Sequence, residues 1–137
     1  MNLYEIFDEK KLDQAESFTL ELEDGDAKIC FELARAGAEN KKFSTKLTAL
    51  MKPYKYAVQK GTMKDEQAEH ILCQALAETV ILDWSGVTDR EGKLLDYSAE
   101  AAANLLKELP NLRQMIQDEA SEISNFLAAD REERSGK

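Results

Sequence analysis

The sequence has little of what catalysis usually requires. Across 137 residues there is one histidine, His70, and there are two cysteines, Cys30 and Cys73, too far apart for a CxxC site. No glycine-rich phosphate loop, G-x-S-x-G elbow or H-E-x-x-H pair occurs, so nucleotide-binding, hydrolase and zinc-protease chemistry has no local signature. Two prolines and six glycines are too few for a chain disordered over its length. No apolar run approaches the roughly 18 residues of a membrane span. Met1-Asn2-Leu3-Tyr4-Glu5 lacks the basic flank and apolar stretch of a secretion signal. The expected location is therefore the cytosol, with both thiols reduced. Lying in Ile29-Cys30-Phe31 and Leu72-Cys73, they act as small hydrophobes.

What is present is charge, arranged in blocks. The net charge is −9. Residues 1–27 carry nine acids against two lysines, residues 28–64 nine bases against two acids, and residues 65–137 sixteen acids against seven bases. Such blocks either pair within the fold or offer a basic face to an acidic partner. The overall acidity argues against DNA or RNA as partner, since that binding is driven by phosphate neutralisation.

A chain of this length makes one domain, which buries roughly two-thirds of its unfolded surface and needs no metal or disulfide. The expected domain spans residues 1–128, with 129–137 a polar tail that frays. Asn2 to Lys11 suits a short helix with Leu3, Ile6 and Phe7 on one side. Phe18, Leu20 and Leu22, then Ile29, Phe31 and Leu33, alternate with polar or small residues around Asp24-Gly25-Asp26, which predicts a β-hairpin. From Phe43 the apolar spacing becomes helical through Leu47, Leu50 and Met51. Pro53 interrupts it, and Gly61 is its expected end.

A second helix is expected from Lys64 or Asp65 to Asp83, with Ala68, Leu72, Ala75, Leu76, Thr79 and Val80 as its apolar face. Trp84 to Lys93 reads as an ordered loop or small hairpin. Ser98 caps a third helix whose Leu105, Leu106 and Leu109 face inward, and Pro110 ends it and opens a fourth. That fourth carries Leu112, Ile116, Ala120, Ile123 and Leu127 as a narrow stripe. The predicted fold class is α+β, predominantly α-helical, with an N-terminal β-hairpin packed against about four helices.

Few constellations suggest chemistry. Glu66, His70 and Cys73 share a helical face, but three mixed ligands without a fourth make a weak metal signal. Asp89-Arg90-Glu91-Gly92 lacks the remaining oxygens of a calcium loop and reads as a turn. No catalytic, cofactor-binding or metal residue is assigned, and the expectation is a binding protein, not an enzyme. Lys41, Lys42, Lys46, Lys52, Lys55 and Lys60 form the sharpest electrostatic feature, either a docking face or a solvated helix face. Trp84 is either a core anchor or an interface residue. The candidate partner-binding residues are Lys41, Lys42, Lys46, Lys52, Tyr54, Lys55, Tyr56 and Trp84.

An ordered set of short stretches remains: Met1-Asn2-Leu3-Tyr4-Glu5-Ile6-Phe7, Ala34-Arg35-Ala36-Gly37 with Asn40 and Phe43, Lys52-Pro53-Tyr54, Trp84-Ser85-Gly86-Val87-Thr88-Asp89 with Gly92-Lys93, Tyr97-Ser98, and Leu105-Leu106 through Leu109-Pro110. Together they resemble the tail assembly chaperones of long-tailed bacteriophages and prophages. Each is short; their order and spacing carry the likeness, which runs to about Ala128. Asn111-Leu112-Arg113 departs from it, since an acid and an aromatic often follow the Leu-Pro in that family. The resemblance implies a protein of the host bacterial cytoplasm that binds and solubilises the tape measure protein. It also implies recruitment of the tail tube protein, absence from the finished virion, and often a longer form made by frameshifting. A second copy of the chain is a further candidate partner; nucleic acid, membrane and cofactors are not. The alternative reading is an acidic phage-encoded inhibitor or adaptor acting by protein–protein binding.

Overall fold

The computed structural model of the chain describes residues 17–37, 40–122 and 124–126. The expected helix at Asn2–Lys11, the polar tail, and the stripe positions Ile123 and Leu127 lie outside the described residues. The fold is α+β: a three-stranded antiparallel sheet with helices packed on one face.

Strand β1 (Ser17–Asp24) and strand β2 (Ala27–Ala34) form the hairpin that the alternation predicts, joined through Gly25-Asp26 with Gly25 at φ 62°. Register places Phe18 opposite Leu33, Leu20 opposite Phe31 and Leu22 opposite Ile29, so one face is apolar throughout. The other face is polar. Ser17 and Thr19 donate from their hydroxyls to the Glu32 carboxylate at 2.5 and 2.8 Å, and Lys28 meets Glu21 at 3.1 Å.

Helix α1 (Lys41–Met51) runs into a 3-10 turn (Lys52–Tyr54), which leads into the short helix α2 (Lys55–Lys60). Pro53 lies in the 3-10 turn, and Gly61 closes α2 in the left-handed region at φ 69°. Helix α3 (Asp65–Thr79) is the centre of the molecule, packing against α1 on one side and against helix α4 (Ala99–Glu108) on the other. Its buried set, Ile71, Cys73, Ala75, Leu76, Ala77 and Thr79, is wider than one stripe because neighbours approach from several sides. The predicted face is only partly inward, since Ala68 is exposed and Leu72 half-buried.

Sequence reasoning carried α3 through to Asp83, whereas the helix stops at Thr79 and Ile81–Ser85 forms a third strand, β3. A short apolar run such as Val80-Ile81-Leu82 has no decisive period, and the free edge of β2 decides it by offering ladder hydrogen bonds. Ala34 N–H donates to Val80 O at 2.8 Å just where the helix gives way. A bulge at Leu82 of β3, opposite the step from Glu32 to Leu33, breaks the β2–β3 register. It explains why Ile81 and Trp84, three apart, are both buried while Leu82 and Asp83 are exposed: one extra residue reverses the alternation.

The segment after β3 is the small ordered hairpin that its composition suggests, bridged at Thr88 and Leu94. Asp89 Oδ1 accepts from the N–H groups of Glu91 and Lys93 at 2.9 and 3.0 Å, so the acidic stretch is a turn. Ser98 Oγ caps α4 by accepting from Ala101 N–H at 3.0 Å. Pro110 opens helix α5 (Pro110–Ser121), on which Ile116 and Ala120 are buried. Leu106 is fully buried, but Leu109 is 44% exposed, because it takes a non-helical conformation at the junction of α4 and α5.

One core joins the sheet to the helices. Trp84 packs edge-on against Phe31 and Tyr97 at centroid distances of 6.1 and 5.4 Å, and its Nε1–H donates to Leu95 O at 2.8 Å. Tyr97 donates its phenol to Ile81 O at 2.6 Å; burial, with the Asp83 carboxylate second, raises its pKa above the ordinary tyrosine value. Phe126 lies edge-on to Phe18 at 4.9 Å, with the Arg35 guanidinium 5.1 Å from its ring centre.

Gly86 directly follows β3 and lies against the Lys28 backbone of β2. Its φ is +76°, and a Cβ there would collide with the Lys28 carbonyl oxygen. Both the left-handed backbone and the contact disfavour any side chain. Gly86→Ala is expected to lower unfolding free energy by about 1–3 kcal/mol in urea titrations. An unchanged midpoint would mean that the two strands are not held this closely.

Candidate functional site

The stretch from Lys41 to Lys64 contains seven lysines and no acid. It folds as an arm, α1, the 3-10 turn and α2, on which no residue is fully buried. A helix starting with Lys41 and Lys42 places positive charge on the positive end of its own dipole, a cost of about 0.3–1 kcal/mol per charge. The sequence tolerates that cost here, whereas α3 begins with the favourable Asp65 and Glu66.

Asn40 holds the arm to the body. Its Oδ1 accepts from Phe43 N–H at 3.2 Å, capping α1. Its Nδ2 donates to Arg35 O at 2.8 Å and to Thr79 O at 3.1 Å, reaching both the end of the hairpin and the last turn of α3. Phe43 then packs against the core, and Lys46 meets Glu78 of α3 at 3.2 Å.

The structure sorts the candidate residues by position. Lys41, Lys42, Lys52 and Lys55 are exposed, Lys46 and Tyr54 half-buried, and Tyr56 is 71% exposed with the Lys60 ammonium 5.6 Å from its ring centre. Among the described residues, Lys46 is the one lysine of the arm that forms an ion pair with a carboxylate. Trp84 is buried in the core beneath Tyr97, with 8% of its surface accessible, and is not part of the lysine-rich face.

A further feature was hidden in the sequence. Leu47, Met51 and Val58, with Thr48, Lys52, Lys55 and Gln59, line an open groove of about 650 Å³ along the arm. Leu47 and Met51 read from spacing as ordinary core positions, yet both are only half-buried and Val58 is 47% exposed. Phe43, Leu47, Leu50 and Met51 share one helical face, so spacing gave no signal that part of that face stays open. A second, more open cleft of about 450 Å³ is lined by Lys41, Lys42, Lys46 and Glu78.

The Glu66, His70, Cys73 face does not assemble. Cys73 is fully buried, and burial pushes its thiol pKa up, which disfavours the thiolate a metal or electrophile requires. Glu66 and His70 are exposed. His70 instead borders a polar cleft of about 340 Å³ between α3 and α4, with Glu78, Glu100 and Lys107 among its walls. Among the described residues, no helix is long and apolar enough to cross a membrane.

Compared with known families, residues 38–137 match the family model described as YdaY prophage protein. The matched region contains the arm, every helix among the described residues and β3, while β1 and β2 precede it. No curated protein matches, and no solved structure matches.

Two outcomes follow from the geometry of the arm. Asn40→Ala should cost about 1–2 kcal/mol of stability, the upper range for a helix cap, because two further carbonyls lose their donor. A Lys52→Glu, Lys55→Glu double variant should stay within about 0.5 kcal/mol of the parent, since both side chains are exposed. Chemical denaturation checks both; a destabilised lysine variant would mean that these charges serve the fold.

Proposed function

The chain belongs to the YdaY prophage protein family, and we propose that it is a tail assembly chaperone that binds the tape measure protein. It acts as a binding protein, not an enzyme, in the cytoplasm of the host bacterium. The tail tube protein is a second partner, recruited as the tube polymerises, and the chaperone is absent from the finished virion.

Prophage membership and the likeness of ordered short motifs to tail assembly chaperones support this reading. The observation that carries it is the exposed lysine arm with its open apolar groove. A tape measure protein displays long amphipathic helices before a tube encloses them, and exposed apolar stripes of that kind aggregate. An apolar groove covers such a stripe, while a net charge of −9 keeps the chaperone itself soluble. Release is part of the task, so contacts at the rim suit it better than a deep pocket. Rim charges chiefly steer encounter and are worth little each.

Co-expression with the tape measure protein of the same prophage tests the proposal. The tape measure should move into the soluble fraction and co-purify with the chain, and the Lys52→Glu, Lys55→Glu variant should recover visibly less of it. A tape measure that stays insoluble and unbound, with the chain folded and abundant, would end the chaperone reading.

A further inference from the structure

The groove on the arm has a specific chemistry. Leu47, Met51 and Val58 supply an apolar floor, and Lys52 and Lys55 stand on its rim. From Leu47 to Gln59 the lining residues recur at helical spacing through the 3-10 turn, a track about 18 Å long at roughly 1.5 Å per residue. The turn preserves this track because Lys52 and Lys55 keep helical backbone angles on either side of Pro53. Beside this track, Phe43 and Lys46 face the body, so the groove opens along the border of the side that packs.

Charge selects among possible occupants. No acid occurs between Lys41 and Lys64, so nothing on the arm itself neutralises the rim. Among the described residues, Lys52 and Lys55 have no carboxylate within ion-pair distance. An apolar floor is a poor seat for a phosphate backbone, which seeks hydrogen-bond donors and cations along its whole length. It is a good seat for the apolar stripe of a helix.

We propose that this groove seats an acidic amphipathic helix of about three turns. Its apolar residues rest on Leu47, Met51 and Val58, and its flanking carboxylates meet Lys52 and Lys55. This deepens the chaperone reading and rests on it for the partner's identity, since it names the chemistry of the tape measure segment that is held. The apolar contact supplies affinity, and the lysines fix orientation and reject helices with basic flanks.

The test uses the full chain and three fluorescein-labelled helical peptides read by anisotropy. One carries leucines at i, i+3, i+4 and i+7 with glutamates on both flanks. The second replaces the glutamates with lysines, and the third shuffles the first so that its leucines share no face. The acidic amphipathic peptide should bind saturably, and added salt should weaken it. Val58→Asp, and separately Lys52→Glu with Lys55→Glu, should each weaken it roughly tenfold or more, the lysine variant shifting preference to the basic peptide. Equal binding of the basic or shuffled peptide, or no binding, overturns the proposal. So does sedimentation showing a dimer that Val58→Asp dissociates, because a second copy would then cover the groove. Peptide binding without tape measure binding would retire the chaperone reading and keep the groove. Tape measure binding that survives Val58→Asp, with no peptide bound, would do the reverse.

Discussion

A sheet with one apolar face cannot stand in water until something covers that face, and the rest of this molecule is arranged around that constraint. Phe18, Phe31 and Leu33 of the hairpin, with Ile81 and Trp84 of β3, form the surface to be buried. The helices α3, α4 and α5 cover it through Leu76, Leu106 and Ile116. Helix α3 bears most of this task. It joins β3 directly, so cover and sheet are one continuous stretch of chain, and small residues at Ala75 and Ala77 let neighbouring backbones come close. The two-stranded hairpin alone would be marginal.

The arm is positioned by different physics. It contributes little to the core, so polar contacts at its root carry its orientation. Asn40 satisfies one orphan amide of α1 and two carbonyls from other elements, a use of a side-chain amide that Ala or Asp cannot reproduce in full. The Lys46–Glu78 pair adds a second fastening, though a half-exposed pair is worth under about 1 kcal/mol. The outcome is a surface fixed at one end, apolar along its length and positive at its edge. A binding site can afford these departures from local rules, such as lysines in the first turn of α1, where a purely structural helix gains nothing from them.

Legibility was uneven in an instructive way. The hairpin was plain because alternation and a Gly-containing turn agree, and the caps at Ser98 and Gly61 were plain because cap chemistry is local. The third strand was not. Val80-Ile81-Leu82 fits the end of a helix as well as a strand, and only the presence of the β2 edge distinguishes them. At the candidate site, the lysines were visible from composition, while the groove between them was not. Leu47 and Met51 sit at core spacing, and their exposure depends on how far α3 reaches across α1.

The amino-acid order by itself determined the class of fold, the hairpin register, the helix ends at Gly61 and Pro110, and the charge of the arm, because each rests on neighbours within a few residues. Tertiary structure alone decided that Trp84 lies inward, that Cys73 and His70 part company, and that Val58 remains uncovered. Those outcomes depend on a bulge in β3 at Leu82, on the close approach of neighbouring helices to α3, and on the absence, among the described residues, of any element packed over the groove. Burial is a property of pairs of surfaces, and the second surface of each pair lies far away in the chain.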